Sequence, residues 1–186
     1  RSGAVSFEII ASGVNIFPKI PIDRTVAKTE FSIRKTFGLE KFDAALGGGI
    51  PQGHMILLGG NTGTGKTTIA MQFLLDGLEH DERCVFITLE EPTPQLKKTA
   101  LEHDWHLEKY EKQGKLIFID PGLIDINIDK LTYQIVRAVN SIGATRVVFD
   151  SISSLESATM NKNQVREFLT SLSGFLKTIG VTSILT

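Results

Sequence analysis

Gly60-Asn-Thr-Gly-Thr-Gly65-Lys66-Thr67 spells G-x-x-x-x-G-K-[ST], and the chain on either side supplies the setting that this motif requires. The apolar run Met55-Ile-Leu-Leu58 enters it with the look of a strand, and Thr68-Ile-Ala-Met-Gln-Phe-Leu-Leu75 leaves it with a helical pattern. Glycines let a backbone fold around phosphate with its N–H groups turned inward. The N-terminus of the following helix adds partial positive charge. The reading is a phosphate-binding loop in which Asn61, Thr62, Gly63, Thr64, Gly65, Lys66, Thr67 and Thr68 surround a nucleotide. Lys66 is expected to reach the β- and γ-phosphates, and the Thr67 hydroxyl to ligate Mg²⁺.

Downstream, strand-like and helix-like segments alternate. Cys84 to Leu89 reads as the second strand, Leu116 to Ile119 as the third, Arg146 to Asp150 as the fourth and Val181 to Leu185 as the fifth. Thr93 to Asp104, Ile128 to Val139 and Asn163 to Ile179 read as helices; in the last, Val165, Phe168, Leu169, Leu172 and Leu176 share a face. Such alternation predicts an α/β fold, a mostly parallel central sheet with helices on both faces. Ligands in that architecture sit at the carboxyl ends of the strands. Upstream, Phe7 to Pro18 reads as two short strands around Ser12-Gly13, a hairpin signal. A linker-like stretch with Pro18 and Pro21 follows, then a short strand over Glu30 to Arg34. Leu39 to Leu46 reads as a short amphipathic helix, and Gly47 to Gly53 as the tight turn that ends it.

Two further signals lie at predicted strand ends. Val147-Val-Phe-Asp150 has the form of a Walker B strand, apolar residues ending in an acid that would hold Mg²⁺, through a water. Taken alone, Asp150-Ser151 would serve equally well to cap the next segment. Glu90 and Glu91 follow the second strand directly, where a carboxylate would face the γ-phosphate and orient or deprotonate the attacking water. Neighbouring acids also discourage each other's ionisation. A solvated glutamate pair is the alternative, and which glutamate would be the base stays open.

Together these residues resemble the RecA-type P-loop ATPases, specifically their KaiC-like branch. Phe37-Gly-Leu-Glu-Lys-Phe-Asp-Ala-Ala-Leu-Gly-Gly-Gly-Ile-Pro-Gln-Gly53 is similar to the segment leading to that branch's P-loop, with Glu40 in place of the commoner Asp. Thr88-Leu-Glu-Glu-Pro92 resembles its tandem-glutamate signature, and Asp150-Ser-Ile-Ser-Ser154 its Walker B with a Ser-rich turn. The resemblance implies a RecA/KaiC-like ATPase core over 36–186, truncated at its C-terminus, with ATP and Mg²⁺ as ligands. Catalytic roles fall to Glu90, Glu91 and Lys66, and metal binding to Thr67 and Asp150. Phe7 to Pro18 resembles the hairpin that closes a KaiC-like domain, so 1–20 would be the tail of a preceding copy and 21–35 a linker with a short strand; an N-terminal hairpin belonging to this domain is the alternative. The branch also implies a homo-oligomer, a hexameric ring with ATP between subunits and a basic finger from a neighbour. A signalling partner and Ser/Thr autokinase activity belong to the same implication, for the parent protein.

Composition is compatible with this. The chain has 186 residues, 41% hydrophobic and 22% charged, with a net charge of −1, so its bulk charge points to neither nucleic acid nor a membrane surface. No apolar run approaches bilayer-spanning length. One cysteine, Cys84, excludes an internal disulfide, and the expectation is a cytoplasmic protein. The first residue is Arg rather than Met and the last strand-like run stops uncapped, so a piece of a longer protein is expected. His103 and His106 would share a face if their helix continued, but they lack a third strong ligand and no metal is assigned to them. Ser151, Ser153, Ser154, Ser157 and Thr159 read as turn and capping residues, and the lysines from Lys97 to Lys115 as a solvated face. The expected activity is ATP hydrolysis. A RecA-type DNA repair ATPase and a non-hydrolysing nucleotide-dependent scaffold are the alternatives.

Overall fold

The computed structural model describes residues 5–17, 32–122, 126–159 and 161–186. β1 (Ser6–Ile10) and β2 (Gly13–Phe17) form an antiparallel hairpin around the expected turn. β3 (Arg34–Lys35), α1 (Glu40–Ala45) and β4 (Ile50–Pro51) come next, with β3 and β4 paired antiparallel. The α/β core follows: β5 (Met55–Leu57), α2 (Lys66–Glu79), β6 (Cys84–Thr88), α3 (Thr93–Glu102), α4 (Leu107–Lys112) and β7 (Leu116–Ile119). It is completed by α5 (Ile128–Ile142), β8 (Arg146–Asp150), α6 (Ile152–Ala158), α7 (Lys162–Thr178) and β9 (Thr182–Leu185).

The core strands form one sheet in the order β5-β9-β8-β6-β7, every pair parallel, as the alternation predicted. Successive side chains of a strand point to opposite faces. In β6, Val85 and Ile87 enter a cluster with Leu131, Ile135, Leu172 and Leu176 from α5 and α7. Cys84 and Phe86 enter the opposite cluster with Phe73, Leu74, Leu96 and Tyr110 from α2, α3 and α4. Burial on both faces is why these strands read as continuous apolar runs.

Three details differ from the sequence reading. The Gly-rich stretch after α1 is more than a turn, since Ile50–Pro51 pairs with Arg34–Lys35. A Cβ at Gly49 would lie 2.5 Å from the Lys35 carbonyl oxygen, so the two segments approach only with glycine there. The helix begun at Thr93 ends at Glu102, and Asp104 takes a left-handed φ of 61°. His103 and His106 therefore share no helical face; His106 pairs with Asp104 at 3.0 Å. Among the described residues no cluster of three or more acidic, histidine or cysteine side chains is arranged for a metal. Finally, two helices lie where no helix was predicted, α4 and α6. α6 is Ser-rich, but the Ser151 side chain caps it by accepting from Ser154 N at 3.2 Å, and Leu155 is fully buried beneath it. The short strand predicted over 30–34 lies partly outside the described residues; Arg34 belongs to β3. No helix among the described residues is long and apolar enough to cross a membrane.

Candidate functional site

The parallel sheet brings four strand ends to one edge: Leu57 leading to the loop, Thr88 leading to Glu90, Asp150, and Leu185 leading to Thr186. The loop's conformation follows from its glycines. Gly63 and Gly65 have φ of 81° and 83°, a region that strains other residues. Gly65 is the N-cap of α2, and Ile69 N donates to its carbonyl at 2.9 Å as the helix begins. A Cβ at Gly60 would come within 2.8 Å of Thr64 Oγ1. The loop closes on Asn61, whose carbonyl oxygen accepts from Thr64 Oγ1 at 2.8 Å and Lys66 Nζ at 3.0 Å. Asn61, Thr62, Gly63 and Thr64 are exposed, while Lys66, Thr67 and Thr68 are half-buried in the first turn of α2.

Asp150 is fully buried at the end of β8. Its Oδ2 accepts from Thr67 Oγ1 at 2.8 Å across 83 residues of sequence, and its Oδ1 accepts from Thr186 Oγ1. Burial pushes this carboxyl above its ordinary range and the Glu90 charge adds to that; the hydrogen bonds from Thr186 and Thr67 and the Lys66 charge oppose it. A cation beside Asp150 would offset the penalty. The Thr67 hydroxyl and Asp150 carboxylate are adjacent hard oxygen donors, the chemistry that suits Mg²⁺, so the residues present fit that ion.

The two glutamates are placed differently. Glu90 is exposed, acts electrostatically on Asp150, and lines a cavity of about 230 Å³ with Ser153, Ser154 and Ser157 of α6. Glu91 is half-buried, and its carbonyl oxygen accepts from Thr88 Oγ1. Lys97 and Lys115 are ion-paired with Glu111 and Asp81 at 2.6 and 2.7 Å.

Sequence reasoning missed the support beneath the loop helix. Arg146 opens β8 and is 2% exposed. Its Nη1 donates to the carbonyls of Thr36 at 2.6 Å and Phe73 at 2.7 Å. Its Nη2 meets Glu82 Oε1 at 2.8 Å and Asp76 Oδ2 at 3.1 Å, and the guanidinium lies over the Phe73 ring. Lys35 and Thr145 complete the shell of Glu82 at 2.7 and 2.6 Å. Burial alone would push the Glu82 carboxyl up, but hydrogen bonds from Arg146, Lys35 and Thr145 outweigh it and hold the group at about 2. The available signal was Asp76-Gly77 inside a helix: a Cβ at Gly77 would lie 2.5 Å from Arg146 Nε, so the glycine makes room for the arginine. This network fixes α2, and with it the loop, against β8 and the segment before α1.

A family model described as the KaiC ATPase matches residues 35–186. The chain is 35% identical over 158 residues to the circadian clock protein KaiC3 of Synechocystis sp., covering 80% of this chain and 31% of that protein. It is 34% identical over 168 residues to a UPF0273 protein of Methanopyrus kandleri, covering 82% of this chain and 66% of that one. The crystal structure of the KaiC-like protein PH0186 from Pyrococcus horikoshii OT3 superposes with a TM-score of 0.72 at 40% identity, covering 87% of this chain and 70% of that one. The chain spans about a third of the KaiC clock proteins that it matches. Loop, acidic strand end, strand order and these similarities agree: the chain belongs to the KaiC family of ATPases, with a RecA-type P-loop fold.

Proposed function

We propose that this domain binds Mg-ATP and hydrolyses it by in-line attack of water on the γ-phosphorus. The observation that carries this reading is the 2.8 Å bond from Thr67 to Asp150, which joins the phosphate loop to the acidic strand end. The loop amides and Lys66 bind the phosphates and stabilise the charge that develops on them. Asn61, Thr62, Gly63, Thr64, Gly65 and Thr68 complete the cradle. Thr67 and Asp150 would hold Mg²⁺, which supplies charge neutralisation at the phosphate oxygens when bound. Glu90 accepts a proton from water as its oxygen attacks phosphorus; the bond to the bridging oxygen breaks, and ADP and phosphate leave. Glu90 rather than Glu91 takes this role because Glu90 is exposed and its charge acts on Asp150, whereas Glu91 is half-buried.

The same reading extends to the parent protein: a homo-oligomeric, hexameric ring with ATP between subunits, a basic finger from the neighbour, cytoplasmic and open to a signalling partner. The β1–β2 hairpin would close a preceding domain of the same kind. Its register puts Phe7 opposite Ile16 and Ile9 opposite Val14, and all four are 60–76% exposed, an apolar face suited to covering. Steady-state phosphate release by the intact protein tests the activity, beside a Glu90→Gln/Glu91→Gln variant. Wild-type turnover with a variant that binds ATP but does not turn over supports hydrolysis. Two equally inert proteins that assemble with ATP would make this a nucleotide-dependent scaffold.

A further inference from the structure

We propose that Thr186 is a positioning residue for the metal-holding carboxylate; the inference rests on the Mg-ATP reading above. Asp150 is fully buried, so both of its oxygens need donors from the protein. Thr67 serves Oδ2 at 2.8 Å, and Thr186 serves Oδ1. The two hydroxyls come from different parts of the fold, the first turn of α2 and the residue that follows β9.

Thr186 is itself firmly held. Its N–H donates to the Phe149 carbonyl at 3.1 Å, and its carbonyl accepts from Ile152 N at 2.8 Å. Its hydroxyl is therefore rooted in the backbone on both sides of the Asp150-Ser151 step. A carboxylate tied at one oxygen keeps the broad, roughly two-fold torsional freedom of a terminal sp³–sp² bond. The second tie removes that freedom and sets the carboxylate plane relative to Thr67. A threonine hydroxyl has one hydrogen and two lone pairs. Thr67 can thus keep donating to Asp150 while a lone pair ligates the ion, provided that the carboxylate does not turn away. Thr186 prevents that turn.

The experiment uses the intact parent protein with Mn²⁺ as the probe for Mg²⁺. Mn²⁺ affinity is measured by electron paramagnetic resonance with a non-hydrolysable ATP analogue bound, and analogue affinity is measured separately in EDTA. Thr186→Val, which keeps the shape and removes the hydroxyl, should weaken Mn²⁺ binding roughly ten- to a hundred-fold, the range typical of groups that orient metal ligands. Its metal-free analogue affinity should match wild type, and Thr186→Ser should restore Mn²⁺ binding. Unchanged Mn²⁺ affinity in Thr186→Val overturns this inference while leaving the Mg-ATP reading in place. A wild type that binds the analogue without any Mn²⁺ site overturns the metal assignment, and the inference with it. If Thr186→Val loses metal-free analogue binding, Thr186→Ala is read in its place. Loss in both marks Thr186 as purely structural and overturns the positioning role.

Discussion

Replacing Glu82 by Gln tests whether the buried charge network beneath α2 holds the fold together. The carboxyl sits at about 2 in the folded protein against 4.5 ordinarily, because hydrogen bonds from Arg146, Lys35 and Thr145 outweigh the cost of its burial. A folded value below the unfolded one means stability that is present above pH 4.5 and is lost as pH falls toward 2. At about 1.4 kcal/mol for each pH unit separating the two values, the ionised carboxylate contributes about 3 kcal/mol at neutral pH, and roughly half of that remains at pH 3. Its side chain is 17% exposed, so solvent screening takes only part of this. Gln keeps an oxygen to accept from Arg146 and approximates the protonated acid. Urea unfolding of both proteins from pH 7 to pH 3 should show Glu82→Gln less stable by about 3 kcal/mol at the upper end, with the gap narrowing by about half at the lower. Parallel stability curves, with a gap that ignores pH, would refute the assignment of the effect to the carboxylate's charge.

Two other substitutions follow from the same geometry. Gly77→Ala would stabilise an ordinary helix interior by about 1 kcal/mol; here the new Cβ would lie 2.5 Å from Arg146 Nε, so a net loss of about 1–3 kcal/mol is expected in denaturant titration. Asp150→Asn removes a carboxyl whose ionisation burial disfavours, so the metal-free protein should unfold at a higher temperature at neutral pH than wild type does. The same variant should lose the Mg²⁺ dependence of nucleotide binding in a fluorescence titration, so stability and metal response move in opposite directions.

What could be read without coordinates was whatever is encoded locally. The loop motif spans eight consecutive residues, and its glycines and Lys66 declare themselves by spacing. The core strands declared themselves as apolar runs because both faces of the sheet are buried, and the resulting alternation was enough to predict a parallel sheet with the loop at its carboxyl edge. α4 and α6 did not: α6 is Ser-rich, and it rests on the Ser151 cap and on the burial of Leu155. The Arg146 network was invisible for a different reason. Its bonds join residues 64, 73 and 110 positions apart, and nothing in a strand's own pattern says which distant carboxylate will meet its first residue.

That division matters for how the site works. The residues legible as motif, Lys66, Thr67, Asp150 and the glutamates, are those that would touch nucleotide, metal or water. Those that went unread, Arg146, Glu82, Gly77 and Thr186, touch only other protein groups. Yet Thr67 meets Asp150 at 2.8 Å only because α2 is set against β8, and α2 is set there by an arginine at the opposite end of that same strand. β8 thus carries a buried cation at its start and a buried carboxylate at its end, with only apolar residues between them. The first anchors the loop helix through Phe73, and the second receives that helix's Thr67. Displacing the helix at its Arg146 end should therefore disturb the Thr67–Asp150 contact without touching any residue of the motif. Gly77→Ala can report this directly: beyond its loss of stability, it should weaken Mn²⁺ binding more than metal-free nucleotide binding. An equal effect on both would mean that α2 moves as a body with its loop and that the strand does not couple the two ends.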